Sequence, residues 1–482
     1  MRGYIFWVGL FAGLGSFIFG YDTGIITTSI AHDSFKTYMK NPNAAATGAI
    51  VATYIAGEAI GALMQMLVGD KLGRKGFMEM MCVVVTIGTV IQTAAQNYAM
   101  FLVGRILTGI AVGGLIGTVP IYNSEISPPQ SRGVIGGLSG YMIGVGTCVA
   151  NWIGYLCGFA SSRTSFQWRF PLALQVPPGV ILIFGLRFIL PDSPRWLIQK
   201  GRDEEARRAF ATIRGDLADE ELQKEFDDMR EQILYEKTIE ITSLKEAWAK
   251  YRRRVAVAVF VQTMTALTGV NVINYYQTIL YTSLGVAGQN ILLLAAIYGT
   301  VGFLMNSISL QLLDRFGRVK MLLYGTAILV VDLVYSAVMA RLFGGGSNKI
   351  GVGFAVLGIY LYTAIYYLFI NCTTWLYGVE VLPLFLRSKI TGLAALTHFI
   401  VNIGVTQAGP SAFANIGENY YYVFVVMTTI YFLGIFFFFP ETKGKTLEMI
   451  AADFGDEVVV SDHDHSTTGG ARGSGEFEDR KV

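Results

Sequence analysis

An all-α membrane protein with twelve transmembrane helices in two six-helix halves is predicted by three observations: recurrent long apolar runs, few charges, and a set of charged motifs that occurs twice. The 482 residues are 53% hydrophobic and 15% charged, against about 25% charged in soluble domains. Crossing a hydrocarbon core of ~30 Å takes ~20 residues. Twelve runs of suitable length lie at 5–29, 48–69, 77–97, 99–120, 134–157, 171–190, 255–281, 289–312, 320–342, 351–379, 388–409 and 419–439. The first is too long for a signal peptide, contains Asp22 and lacks a small-residue cleavage site, so it is read as the first span.

The duplicated motifs sit at the edges of these runs, roughly 250 residues apart, as expected of a repeated membrane unit. Asp70, Gly73 and Arg74 are echoed by Asp314, Gly317 and Arg318. Glu125, Pro128 and Arg132 return as Glu380, Pro383 and Arg387, and Pro191-Asp192-Ser193 is answered by Pro440-Glu441-Thr442. The division that follows is an N-terminal half at 1–190, a soluble segment at 191–254, a C-terminal half at 255–440 and a tail at 441–482. The soluble segment alternates acids and bases in helix-forming company, which predicts short amphipathic helices. The tail is polar and rich in Gly and Ser after 455 and is expected to be disordered; the Asp462-His463-Asp464-His465 run within it reads as solvated rather than metal-binding.

Lys and Arg collect in the connections after spans 2, 4, 8, 10 and 12, on the side shared by both termini, which predicts cytoplasmic termini in a multi-pass protein; the plasma membrane is its expected location. Lys36, Lys40, Arg163, Arg169, Arg341 and Lys349 on the opposite side make that bias incomplete. A net charge of +2 without a clustered basic face excludes a nucleic-acid partner. Cys82, Cys148, Cys157 and Cys372 all fall inside apolar runs without metal-ligand or disulfide spacing. No nucleophile-and-base set or phosphate loop points to an enzyme or to a cofactor. Partners reduce to the bilayer, a small-molecule substrate and a proton, for a chain that works as a monomer.

Acids and arginines at the charged ends of the spans can pair across helices only when those ends come together, so they form a candidate two-state latch: Asp70, Arg74, Glu125 and Arg132 in one half, Asp314, Arg318, Glu380 and Arg387 in the other. Asp22 is the most exposed to physical cost, because a carboxylate within a span costs ~2.5–3.5 kcal/mol and needs a partner. Arg105, at the start of span 4, is the candidate. Glu58 in span 2 and Asp332 in span 9 carry the same cost without an evident partner. Glycines spaced by four, such as Gly109, Gly113 and Gly117, predict close helix contacts.

Taken in order, Gly20-Tyr21-Asp22-Thr23-Gly24, Asp70-Lys71-Leu72-Gly73-Arg74-Lys75, Gly104-Arg105, Pro191-Asp192-Ser193-Pro194-Arg195-Trp196-Leu197, Asp314-Arg315-Phe316-Gly317-Arg318 and Pro440-Glu441-Thr442-Lys443-Gly444 are highly specific. Through them the chain resembles, over essentially its whole length, the sugar porters of the major facilitator superfamily, and fungal members above all. The resemblance implies the major facilitator fold, alternating access and a cytoplasmic gate built from the latch residues. It implies that Asp22 binds a transported proton beside Arg105; a static pair in a downhill facilitator is the alternative.

The resemblance also implies a sugar site of amides and aromatics. Asn271, Tyr275, Tyr276, Trp375 and Asn402 match its positions, and His398 stands where asparagine is frequent. Four other positions depart from the pattern. Gly140 replaces a glutamine, Thr265-Ala266 a Gln-Gln pair and Gly302 an asparagine, while Asn371-Cys372-Thr373-Thr374 replaces a proline-rich turn. These exchanges are expected to enlarge the cavity and remove hydroxyl partners, each unpaired buried group costing ~1–3 kcal/mol. They admit a bulkier or less polar ligand, and His398 is open to binding an acidic ligand or to a purely structural role. The function predicted is secondary active transport of a sugar or sugar-like molecule, with proton symport. The alternatives are a facilitator or exporter of a polyol, an organic or aromatic acid or a secondary metabolite, and a non-transporting sensor, which the short tail disfavours.

Overall fold

A computed structural model describes residues 2–455 apart from 129–130, 216–218, 239–242, 345–347 and 446. Within them ten helices are long and apolar enough to cross a membrane. Two of the ten are double. Ala44–Thr93 has 50 residues, about 75 Å at 1.5 Å per residue, and Leu386–Phe438 has 53, so each crosses a ~30 Å core twice. Twelve crossings result, and the aqueous ends fall where the backbone leaves the helix: at Gly73, with φ +76°, and at Gly417, with φ +55°.

The spans are therefore Tyr4–Ser29, the two arms of Ala44–Thr93, Tyr98–Ile126, Gly133–Cys157, Phe166–Phe188, Lys245–Ser283, Gln289–Phe316, Arg318–Phe343, Lys349–Glu380 and the two arms of Leu386–Phe438; we number them 1 to 12. Their large aliphatic and aromatic side chains divide between interior and lipid. Ile50, Ile55 and Leu115 are buried, whereas Phe184, Phe188, Val331, Phe436 and Phe437 are exposed, as suits a hydrocarbon solvent. The expected amphipathic helices are present between spans 6 and 7 as Pro194–Gln199, Asp203–Arg214 and Asp219–Thr238, packed on their own small core of Trp196, Leu197, Ala206, Phe210, Phe226 and Ile233. The Asp462–His465 run lies outside the described residues.

Glycine sets how close the helices come. Spans 2 and 4 touch along Gly57, Gly61, Gly109 and Gly113, where an added methyl would run into the facing backbone. The two halves meet along two seams. Span 5 lies against span 8 from Gly133, which faces the Asp314 carboxylate, to Gly158, which faces Gln289. Span 2 lies against span 11 from Gly48, beside Gln407, to Gly69, beside Ser388.

Candidate functional site: paired latches, a buried charge and a polar centre

Both latches start from a positive-φ backbone position that only a glycine accommodates without strain. Gly73 at φ +76° and Gly317 at φ +91° turn the chain out of one span and into the next. The following arginine is thereby aimed at the acids of its own half. Arg74 donates from Nη2 and Nε to Glu125 at 2.7 and 3.1 Å and from Nη1 to Asp70 at 2.8 Å. Arg318 repeats the arrangement, with Glu380 at 3.0 and 3.1 Å and Asp314 at 3.2 Å. Charge-assisted, forked bonds of this kind are the strong ones.

Each latch also has support that the motif reading missed. The Tyr122 hydroxyl donates to the Pro191 carbonyl at 2.7 Å, and the Tyr377 hydroxyl to the Pro440 carbonyl at 2.9 Å. The signal was in the chain, since Tyr122 and Tyr377 stand three residues before Glu125 and Glu380. Glu441 accepts the backbone N–H of Arg318 and Val319 at 2.9 and 3.1 Å, so a carboxylate sits on the amino terminus of span 9. The Thr442 hydroxyl completes Glu380 at 2.9 Å. On the other side Trp196 donates to the Asp70 carbonyl at 3.0 Å.

Each ion-pair set lies inside its own half, tying spans 2 and 3 to span 4 and spans 8 and 9 to span 10. Contact between the halves at this face comes from other groups: Gln65 donates to Ser388 at 3.0 Å, and span 5 glycines meet Asp314 and Leu376. The physical reason is reach, because the Gly–Arg turn points each arginine back at its own bundle. Arg387 is buried and donates to the Leu382 carbonyl at 3.4 Å. Arg132 begins the helix Arg132–Cys157; its side chain lies outside the described residues.

Deeper in the N-terminal half, Arg105 Nη1 holds Asp22 Oδ2 at 2.6 Å, and both side chains are about 1% exposed or less. Gln175 of span 6 donates to the other Asp22 oxygen and itself accepts from Gln92 at 2.8 Å and Thr89 at 3.2 Å. The Arg105 guanidinium lies 4.1 Å from the centre of the Tyr54 ring, a cation–π contact. Gln175 and Tyr54 were not singled out from sequence; an amide inside a span is the only cue to the first.

The remaining predicted residues gather around a break in span 7. Helix Leu244–Leu267 stops, Gly269 takes φ +91° against the Phe424 ring, and Val270–Ser283 restarts. Asn271, Tyr275 and Tyr276 follow the break and are buried. The tyrosines face different ways: Tyr275 meets Thr23 of span 1 at 3.4 Å, whereas Tyr276 donates to the Thr406 carbonyl of span 11 at 2.9 Å. Trp375 and His398 approach with ring centres 6.2 Å apart. His398 Nδ1 lies 2.8 Å from the Gln262 carbonyl, and Asn402 sits one turn further along span 11. Among the described residues Asn402 Oδ1 and Gln262 Oε1 are buried without a partner.

The glycine exchanges do not open the cavity. A methyl at Gly140 would lie 2.7 Å from the Cys372 Cα, and one at Gly302 would lie 3.0 Å from the Tyr367 ring. Asn371 and Asn306 donate to the Gly140 carbonyl at 2.8 and 3.0 Å, bridging span 5 to spans 10 and 8. Span 10 makes this approach through a π-helical turn at Tyr366–Ile370, which stands just before the position where a proline-rich segment was expected. The space a glutamine would fill is taken by the opposite half.

A twelve-span bundle of two similar halves, with a polar centre between them, defines a transporter of the major facilitator fold rather than an enzyme. The model of the family described as "Sugar (and other) transporter" matches residues 8–454, and the chain belongs to that family. It is 36% identical over 461 residues to the MFS-type transporter criB of Aspergillus cristatus, covering 94% of each chain. It is 31% identical over 466 residues to a high-affinity glucose transporter of Kluyveromyces lactis, covering 92% of this chain and 84% of that one. The structure of the proton:xylose symporter XylE bound to 6-bromo-6-deoxy-D-glucose superposes with a TM-score of 0.81 at 21% identity, over 94% of this chain and 99% of that one.

Proposed function

We propose that this protein is a proton-coupled carrier of a neutral sugar or polyol, working by alternating access in the plasma membrane with the charged face and both termini cytoplasmic. The carrying observation is the Asp22–Arg105 pair, one residue from the Thr23–Tyr275 contact that joins the halves. Protonating Asp22 removes its charge and weakens its hold on Arg105, which frees span 1 to move against the restarted helix of span 7. Differential pairing of this kind is what lets one ligand shift a two-state equilibrium. Asn271, Trp375, His398 and Asn402 form the substrate side, and the latches stabilise the bundles that rock about it.

The Gln262 carbonyl favours a neutral ligand. It accepts a hydrogen bond from Nδ1–H of His398, and in the neutral ring that tautomer leaves Nε2 as an acceptor, suited to a hydroxyl rather than to a carboxylate. The relatives named as glucose transporters and the proton:xylose symporter support sugar and proton. A second reading, a non-sugar metabolite, is favoured by the loss of amides at Gly140, Thr265 and Gly302 and by the unspecific name of the 36% relative.

The test is uptake of labelled hexoses, pentoses, disaccharides, polyols and organic acids, at two external pH values, in cells lacking their own sugar porters. Acid-stimulated accumulation of a neutral polyhydroxylated compound, lost in Asp22→Asn, is expected. Uptake confined to an organic acid would favour the second reading, and accumulation by Asp22→Asn at full rate would remove proton coupling through this pair.

A further inference from the structure

Among the described residues Glu58 is the buried carboxylate beside the Asp22–Arg105 pair that neither latch nor pair uses. It lies in span 2, is 1% exposed, and its backbone packs on Gly113 of span 4, so a small tilt of the helix would not carry it to water. The charged and titratable groups that face it are Asp22 of span 1, Arg105 of span 4, Tyr275 of span 7 and, one turn earlier on its own helix, Tyr54. Two carboxylates therefore lie in the field of one guanidinium, which is paired with Asp22 and rests 4.1 Å from the centre of the Tyr54 ring, one turn from Glu58. Asp22 has both oxygens occupied, by Arg105 and Gln175. Glu58 Oε1 has no partner among the described residues, and neither do Nε and Nη2 of Arg105.

An ionised Glu58 would leave an uncompensated charge in a low-dielectric interior, which costs several kcal/mol, whereas a protonated one would not. We propose that Glu58 is a second proton-binding site of the transport cycle, exchanging one proton and one arginine with Asp22. In one arrangement Asp22 is ionised and paired with Arg105 while Glu58 carries the proton. In the other Asp22 carries the proton and Glu58 is ionised against the donors of Arg105 that are unused in the first. Net charge is zero in both, so the proton can pass between carboxylates without stranding a charge at either end. Coupled sites of this sort titrate as a pair. The inference rests on the coupled-transport reading, extending it from one carboxylate to two.

Two readouts test it on the full-length protein. Infrared spectroscopy of reconstituted protein at neutral pH is expected to show a protonated-carboxyl band that Glu58→Gln removes. The same band should weaken in Asp22→Asn, where Glu58 is left as the only acceptor for Arg105. In transport, Glu58→Gln should move the pH of half-maximal accumulation by about one unit or more, and Glu58→Asp should restore it. A Glu58→Gln protein with the wild-type band and wild-type pH profile overturns the proposal. If wild-type uptake ignores pH, the coupled reading fails by itself and the band decides Glu58: its loss in Glu58→Gln keeps the protonated site, its persistence removes it. Should Glu58→Gln not fold, an undiminished band in Asp22→Asn overturns it.

Discussion

In the N-terminal half Arg74 holds Glu125 at 2.7 Å and Asp70 at 2.8 Å; in the C-terminal half Arg318 holds Glu380 at 3.0 Å and Asp314 at 3.2 Å. Glycine turn, forked arginine, buried glutamate, half-exposed aspartate and supporting tyrosine are all present twice. The centres of the same two halves share almost nothing. One holds Asp22, Arg105 and Glu58, all charged types; the other holds Asn271, Gln262, His398 and Asn402, amide and imidazole types, with Trp375 beside His398. A device that does the same job twice has kept its geometry twice. The centres differ in residue type, charged in one half and uncharged amide, imidazole and aromatic in the other, which is the division of labour the proposed function assigns to them.

The largest expected effects break the latch equivalence directly. Glu125→Ala and Glu380→Ala each leave a guanidinium that is 3–4% exposed with the half-exposed aspartate as its remaining ion-pair partner, at a cost of up to ~3–5 kcal/mol. Both proteins should still insert, with lowered thermal midpoints in detergent and reduced uptake. Similar losses are expected, since both glutamates take a forked pair of bonds; a loss confined to one half would show that the latches are alike only in shape.

A second probe concerns the far face of the N-terminal half. Burial holds His32 down at about 4 from 6.5, against the opposing pull of Asp33. The folded protein thus prefers the neutral ring, and the unfolded chain takes up the proton first as pH falls. This contribution is complete above pH ~6.5 and lost towards pH ~4, about 3 kcal/mol in all. His32→Gln should flatten that acid limb in a thermal-melt series between the two pH values; an unchanged limb would remove His32 from the account.

Smaller effects are expected at the turns. Gly73→Ala and Gly317→Ala force alanine into an extended positive-φ backbone that is essentially confined to glycine (φ +76°, ψ 170° and φ +91°, ψ 162°), ~1–3 kcal/mol each, and place a methyl 2.7 Å from the Trp196 ring and 2.6 Å from Glu441. Gly317→Ala should additionally loosen Glu441 from the start of span 9, visible as faster amide exchange at Arg318 and Val319. Smallest of all, Asp70→Asn and Asp314→Asn remove partners with side chains 36% and 37% exposed, for ~0–1 kcal/mol that fades with salt. A large loss at either would mean that the exposed aspartate, not the buried glutamate, anchors its latch.

Much of this was legible before any coordinates. Twelve apolar runs and the doubled Asp–Gly–Arg and Glu–Pro–Arg motifs carry the fold, because a bilayer demands long helices whose backbone is satisfied within each segment. The cost of a carboxylate in lipid pointed from Asp22 to a partner, and Arg105 is where the pair forms. Other features had no local trace. Gln175 and Tyr54 reach the pair from spans 6 and 2, and nothing in their own neighbourhoods marks them.

By itself the sequence determined the membrane class, the number of spans, the duplication and the residue types able to carry charge within the bilayer. All of these depend on hydropathy and spacing along one chain. Only the tertiary structure decided what stands opposite a missing side chain. Gly140 read as an opened cavity, yet its absent side chain lets span 10 approach until Asn371 and Asn306 grip its carbonyl. A glycine records that space is free on its own helix; which neighbour fills that space depends on how helices distant in sequence are rotated and brought together.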